Sequence, residues 1–177
     1  MGRLGDWLEK WEAEVAAMLR KVVFSQETNK AIVEADEVCF FGSVQGLPPS
    51  LHYMSMVGTP VVAPEIYVVG IKDGQLIPPH IWNGTLLRER LEWASKDLME
   101  GMTTLMSICD DEGFTRPTAV KTAVVIATDE AFTKYDFDPL PAPPYRGMTA
   151  ADWAFDRWTD RINSAGSAYR ELKESKK

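Results

Sequence analysis

Ile66-Tyr67-Val68-Val69-Gly70-Ile71-Lys72-Asp73-Gly74-Gln75-Leu76-Ile77 is the stretch on which the fold turns. Two apolar, β-branched runs flank an Asp-Gly pair. That pair suits a two-residue hairpin turn, in which both central residues take positive φ. So short a connection joins only antiparallel strands. Pro78-Pro79 ends the returning strand, because proline cannot donate to a ladder.

Outward from the hairpin, three stretches carry apolar residues at helical spacing. Leu4, Leu8, Trp11, Val15, Met18 and Val22 mark a helix over about 4–22. Leu87, Leu91, Ala94, Leu98, Gly101, Leu105 and Ile108 mark one over about 85–109. Phe155, Trp158, Ile162, Ala165, Tyr169 and Leu172 mark a third, capped by Thr149 with Asp152 three residues on. Ser25, Glu27 and Thr28 predict a shorter helix ending near Asp36. Glu37–Val44, Leu51–Val57 and Val120–Thr128 read as further strands. The strands cluster instead of alternating with helices. The expected fold is α+β: an antiparallel sheet of about four to five strands packed against three long amphipathic helices.

A chain of 177 residues suits one domain. Residues 1–24 are candidates for an oligomerisation arm, because Trp7 and Trp11 sit one turn apart. Residues 136–148, with Pro139, Pro141, Pro143 and Pro144, form a stiff connector to the last helix. The net charge is -7. An acidic chain repels phosphate backbones, so direct nucleic-acid binding is not expected. No stretch approaches the length of a membrane span. No unbroken apolar leader opens the chain, and a cytoplasmic home is expected. Two cysteines, Cys39 and Cys109, are too few for a disulfide framework or a four-cysteine zinc site.

Chemistry-bearing residues are sparse. The histidines are His52 and His80, without the spacing of a zinc helix, so no metal and no cofactor is expected. Gly42-Ser43-Val44-Gln45-Gly46 runs into Pro48-Pro49, where a nucleophile elbow or phosphate loop would need a helix. Asp129 and Glu130 stand where a strand runs out, a place that suits both a turn and an acid–base pair. Asp110-Asp111-Glu112 puts three acids at a helix C-terminus, against the helix dipole. Tyr53, Met54, Tyr67 and Trp82 are the candidate lining of an apolar cavity beside the sheet. Pro141-Ala142-Pro143-Pro144-Tyr145-Arg146 has the form of a PxxP segment followed by arginine.

The expected function is a non-catalytic protein-binding or accessory module with an acidic and aromatic surface, working as a homodimer through Trp7 and Trp11. An enzyme or small-ligand binder with a cleft beside the sheet is the alternative, using His52 and His80 with Asp129 or Glu130. An acidic mimic of nucleic acid is a third.

Overall fold

A computed structural model describes residues 3–25, 27–43, 53–54, 60–61, 64–82 and 85–175. Five strands form an antiparallel sheet in the order β7 (Gln75–Leu76), β6 (Glu65–Lys72), β3 (Glu37–Ser43), β8 (Ala119–Val125), β9 (Ala131–Asp136). Asp73 and Gly74 take φ of 52° and 79°, as the hairpin requires. Asp36 steadies that turn by accepting from the Asp73 N–H at 2.8 Å. The contact holds its carboxyl below the usual range, with Lys72 helping.

Helices cover both faces of the sheet. On one side α1 (Arg3–Val23) and α3 (Thr85–Glu112) pack over Val38, Phe40, Val68, Val120 and Val124. On the other, α4 (Ala150–Ala165) and α5 (Ala168–Glu174) pack over Cys39, Phe41, Ile71, Ala119 and Ala123. Side chains alternate across a strand, so the central strand must be apolar at successive positions. That is why Val38-Cys39-Phe40-Phe41 is an unbroken buried run. The α+β class and the antiparallel sheet are as the sequence predicts.

Three details differ from expectation. The third long helix is two. Gly166 adopts φ 75° and ends α4, and Ser167 then caps α5. Among the described residues no helix follows Ser25 before Asp36. Phe24–Ser25 (β1) pairs with Lys30–Ala31 (β2), and Asn29 turns the chain at φ 54°. Ser25 Oγ accepts from the Thr28 N–H at 3.5 Å, within this turn. The strand expected over 120–128 stops at Val125, and β9 returns beside it. Asp129, at φ 61°, takes the turn position that a glycine would ordinarily mark. Of the strand expected over 51–57, Tyr53–Met54 (β4) is described, paired with Pro60–Val61 (β5). The glycine-rich loop after Ser43 lies outside the described residues, as does Val44.

The acids ending α3 are answered by cations. Arg116 grips the Asp110 carboxylate with two nitrogens, and Arg3 lies 3.6 Å from Asp111. Both cysteines are free and buried. No helix among the described residues is long and apolar enough to cross a membrane.

Candidate functional site

The sheet has one edge that its own strands do not finish. β7 pairs with β6 only at Ile71–Leu76 and Lys72–Gln75. Backbone groups of an antiparallel strand alternate sides. The Gly70 carbonyl accepts from Ile77 N at 2.9 Å, which fixes the even residues of β6 as outward-facing. Ile66 and Val68 therefore aim their N–H and C=O groups away from the sheet. Trp82, in the short α2 (Pro79–Trp82), caps one of these groups: its indole N–H donates to the Val68 carbonyl at 2.8 Å. Gly70 makes room for that ring, since a Cβ there would overlap it. Among the described residues no strand pairs with the outer side of Glu65–Val69.

A cleft of about 500 Å³ lies along this edge. Its floor is Ile66–Val69. Pro78, Pro79 and Trp82 close one end, Leu91 and Ser95 of α3 form one wall, and Phe155, Asp156 and Thr159 of α4 form the other. Leu91 and Ser95 also border an open groove of about 720 Å³ along α3, beside Arg88, Glu92, Lys96 and Met99. The aromatic walls are held in place. Tyr67 stacks on Phe155 with centroids 4.4 Å apart, and Phe41 meets the Tyr67 edge.

Two carboxylates outside the cleft lining meet the Tyr67 hydroxyl. The Tyr67 hydroxyl has one proton and two acceptors, Asp152 Oδ1 and, at 3.1 Å, Glu65 Oε2. Thr149 Oγ1 also donates to Glu65 Oε2, at 2.7 Å. Glu65 Oε1 is buried with no partner among the described residues. Burial pushes the Tyr67 hydroxyl well above the ordinary phenol range, and its bond to Asp152 pushes the same way. With Asp156 on the wall, the site is aromatic, apolar and negative.

Of the expected pocket residues, Tyr67 and Trp82 meet in this cleft. Tyr53 and Met54 are described as backbone only, in β4. His52 lies outside the described residues. His80 is exposed on α2 and does not line the cleft. Asp129 and Glu130 are elsewhere: they turn the β8–β9 hairpin, and β3 separates that hairpin from β6. Asp129 pairs with Arg20 at 2.6 Å, and Glu130 accepts from the Tyr169 hydroxyl at 3.3 Å. Trp11 is buried over Gly101, and Trp7 stacks on it at 5.0 Å, half-buried. Cys39 is fully buried; desolvation, then the Glu37 charge, raises its thiol far above the range of a nucleophile. Ser43 donates to the Thr118 carbonyl at 2.6 Å. No cluster of three metal-ligating side chains occurs among the described residues.

Phe155 and Asp156 line the cleft and Glu65 holds Tyr67, and the sequence singles out none of the three as a site residue. Phe155 was visible as a member of a helical stripe. Nothing in sequence marks Glu65 as the partner of Thr149, 84 positions away. A scan against protein-family models and a search of curated proteins both return no match.

Proposed function

We propose that this chain is a protein-binding module that takes an extended segment of a partner along the open edge of β6. The observation that carries the proposal is the pair Ile66 and Val68. The Ile66 N–H and C=O and the Val68 N–H face outward at the floor of a cleft walled by Tyr67, Trp82 and Phe155, the Val68 carbonyl being taken by Trp82. An extended peptide satisfies such an edge with its own main chain and places alternate side chains against the walls. The partner's chemistry follows from the surroundings: apolar residues facing the aromatic wall, and a basic residue toward Asp156. Attraction by an acidic chain speeds such an encounter and weakens with salt.

The test is selection of displayed random peptides on the full-length protein, followed by titration of the best binder. Ile66→Pro removes an outward N–H and leaves the bonds to β3 in place. It is expected to weaken binding at least about tenfold, the effect of losing about 1.4 kcal/mol, with an unchanged circular dichroism spectrum. Equal affinity for the folded variant would end the proposal. So would selected peptides without basic residues whose binding ignores salt.

A small ligand in the same cleft is the second reading, favoured by the Tyr67 hydroxyl and its two carboxylates. Native mass spectrometry separates the two. A fixed extra mass on a monomer points to the ligand. A clean dimer whose interface protects β6 makes the second copy the occupant.

A further inference from the structure

The open groove of about 720 Å³ along α3 is lined by two rows of side chains, each stepping by four residues. One row is charged and exposed: Arg88, Glu92, Lys96 and Glu100. The other is half-buried and apolar around one small residue: Leu91, Ser95 and Met99. Residues four apart lie on one face of a helix, so the rows run side by side for about three turns.

Signs alternate along the charged row. In two of its three neighbouring pairs the cation comes first, which is the poorer order for an ion pair within a helix. None of the four side chains has an ion-pair partner among the described residues. A row of alternating sign, cation first and anion last, is complementary to its own reverse. Two copies of α3 set face to face and antiparallel about a twofold axis lay charged row on charged row and apolar row on apolar row. With the axis near Ala94 and Ser95, Arg88 of one copy lies opposite Glu100 of the other, and Glu92 opposite Lys96. Symmetry makes each contact twice. The same placement brings Leu91 of one copy to Met99 of the other, aligned within about 1.5 Å along the helix, one residue's rise. Ser95 meets its twin at the centre, where a small side chain lets the helices approach closely. A parallel pair would lay the charged row on the apolar one.

We infer that this face of α3 is the docking site for a second copy of the chain, antiparallel to the first. Three turns of helix cover less than the about 800 Å² per partner of a standard interface, so the dimer dissociates on dilution. Leu91 and Ser95 also border the β6 cleft, but the α3 contact needs no peptide there. It stands whether or not that cleft binds one.

The test is sedimentation of the full-length protein over a range of concentrations, with no peptide present. A monomer–dimer equilibrium is expected. Arg88→Glu and Glu100→Arg should each weaken it at least about tenfold, because each reverses a contact made twice. The double variant Arg88→Glu, Glu100→Arg should restore it to within about threefold of the parent. Positions 88 and 100 lie about 18 Å apart along the helix, so no contact within one chain explains such a rescue. All three variants change exposed side chains and should keep the parent's circular dichroism spectrum. A protein that stays monomeric up to about 1 mM overturns the inference. So does a dimer that neither single variant weakens, since it uses another face. A dimer that both single variants weaken and the double variant fails to restore overturns it as well.

Discussion

Gly70 has no room for a side chain. A Cβ there would lie 2.8 Å from Ile77 Cδ1 and would overlap the Trp82 ring. Glycine ordinarily weakens a strand, so alanine would be favoured here if space were neutral. Overpacking reverses the sign, and Gly70→Ala is expected to cost about 1–3 kcal/mol. Thermal melting reads the loss, and a change in tryptophan emission reports displacement of Trp82. Tyr67 and Tyr135 make a second residue-scale prediction. Burial raises both hydroxyls first; hydrogen bonds to Asp152 and to Glu12 (2.6 Å for the latter) raise them further. Phenols of the unfolded chain ionise near about pH 10. The folded state favours the neutral form, so this stabilisation is fully present below that pH. It is lost as pH rises from there toward the raised folded values. Melting temperature should fall steeply above about pH 10, and less steeply in the double variant Tyr67→Phe, Tyr135→Phe. An equal slope in both proteins would contradict the assignment.

At the scale of elements, the junctions around α4 are the points that decide its position. Thr149 caps the helix and also holds Glu65 of β6, so it ties helix start to sheet edge. Thr149→Ala is expected to lose about 1 kcal/mol from the cap, and more through Glu65. Gly166→Ala places a side chain at φ 75° and is expected to cost about 1–2 kcal/mol. Denaturant titration measures both, and a cost near zero for Gly166→Ala would mean that the α4–α5 break relaxes freely. These junctions also show what sequence can and cannot reveal. Apolar spacing located α1, α3 and the α4–α5 stripe, and Asp73-Gly74 located the hairpin. The break at Gly166 was missed because the stripe keeps its phase across it, from Ile162 to Tyr169. β9 was missed because its turn uses Asp129 in a left-handed conformation and offers no glycine or proline. Half of the candidate site was readable. Tyr67 and Trp82 are large aromatics near a strand, but their meeting depends on α2 folding back over β6, which no local pattern encodes.

For the molecule as a whole, coverage of both sheet faces decides where anything can bind. α1 and α3 take one face, and α4 and α5 the other, so the sheet surfaces are core. α1 is part of that core, with Trp11, Val15, Leu19, Val22 and Val23 buried. Removing residues 1–23 is expected to abolish cooperative unfolding, because five buried side chains go at once. A truncated chain that melts like the parent would instead make α1 an appendage. What remains open is the sheet's margin, and there β6 and β9 differ. β9 carries Lys134, whose ammonium donates to the Ser175 carbonyl at 3.0 Å. A lysine on an edge discourages pairing. The outer edge of β6 has apolar and aromatic walls instead. Residue-by-residue amide hydrogen exchange of the free protein tests this most directly. Tyr67 and Val69, whose amides face β3, should exchange slowly, while Ile66 and Val68 exchange fast and become slow when a selected peptide is added. Ile66 and Val68 amides as protected as those of Tyr67 and Val69, with no partner present, would mean that the edge is already covered.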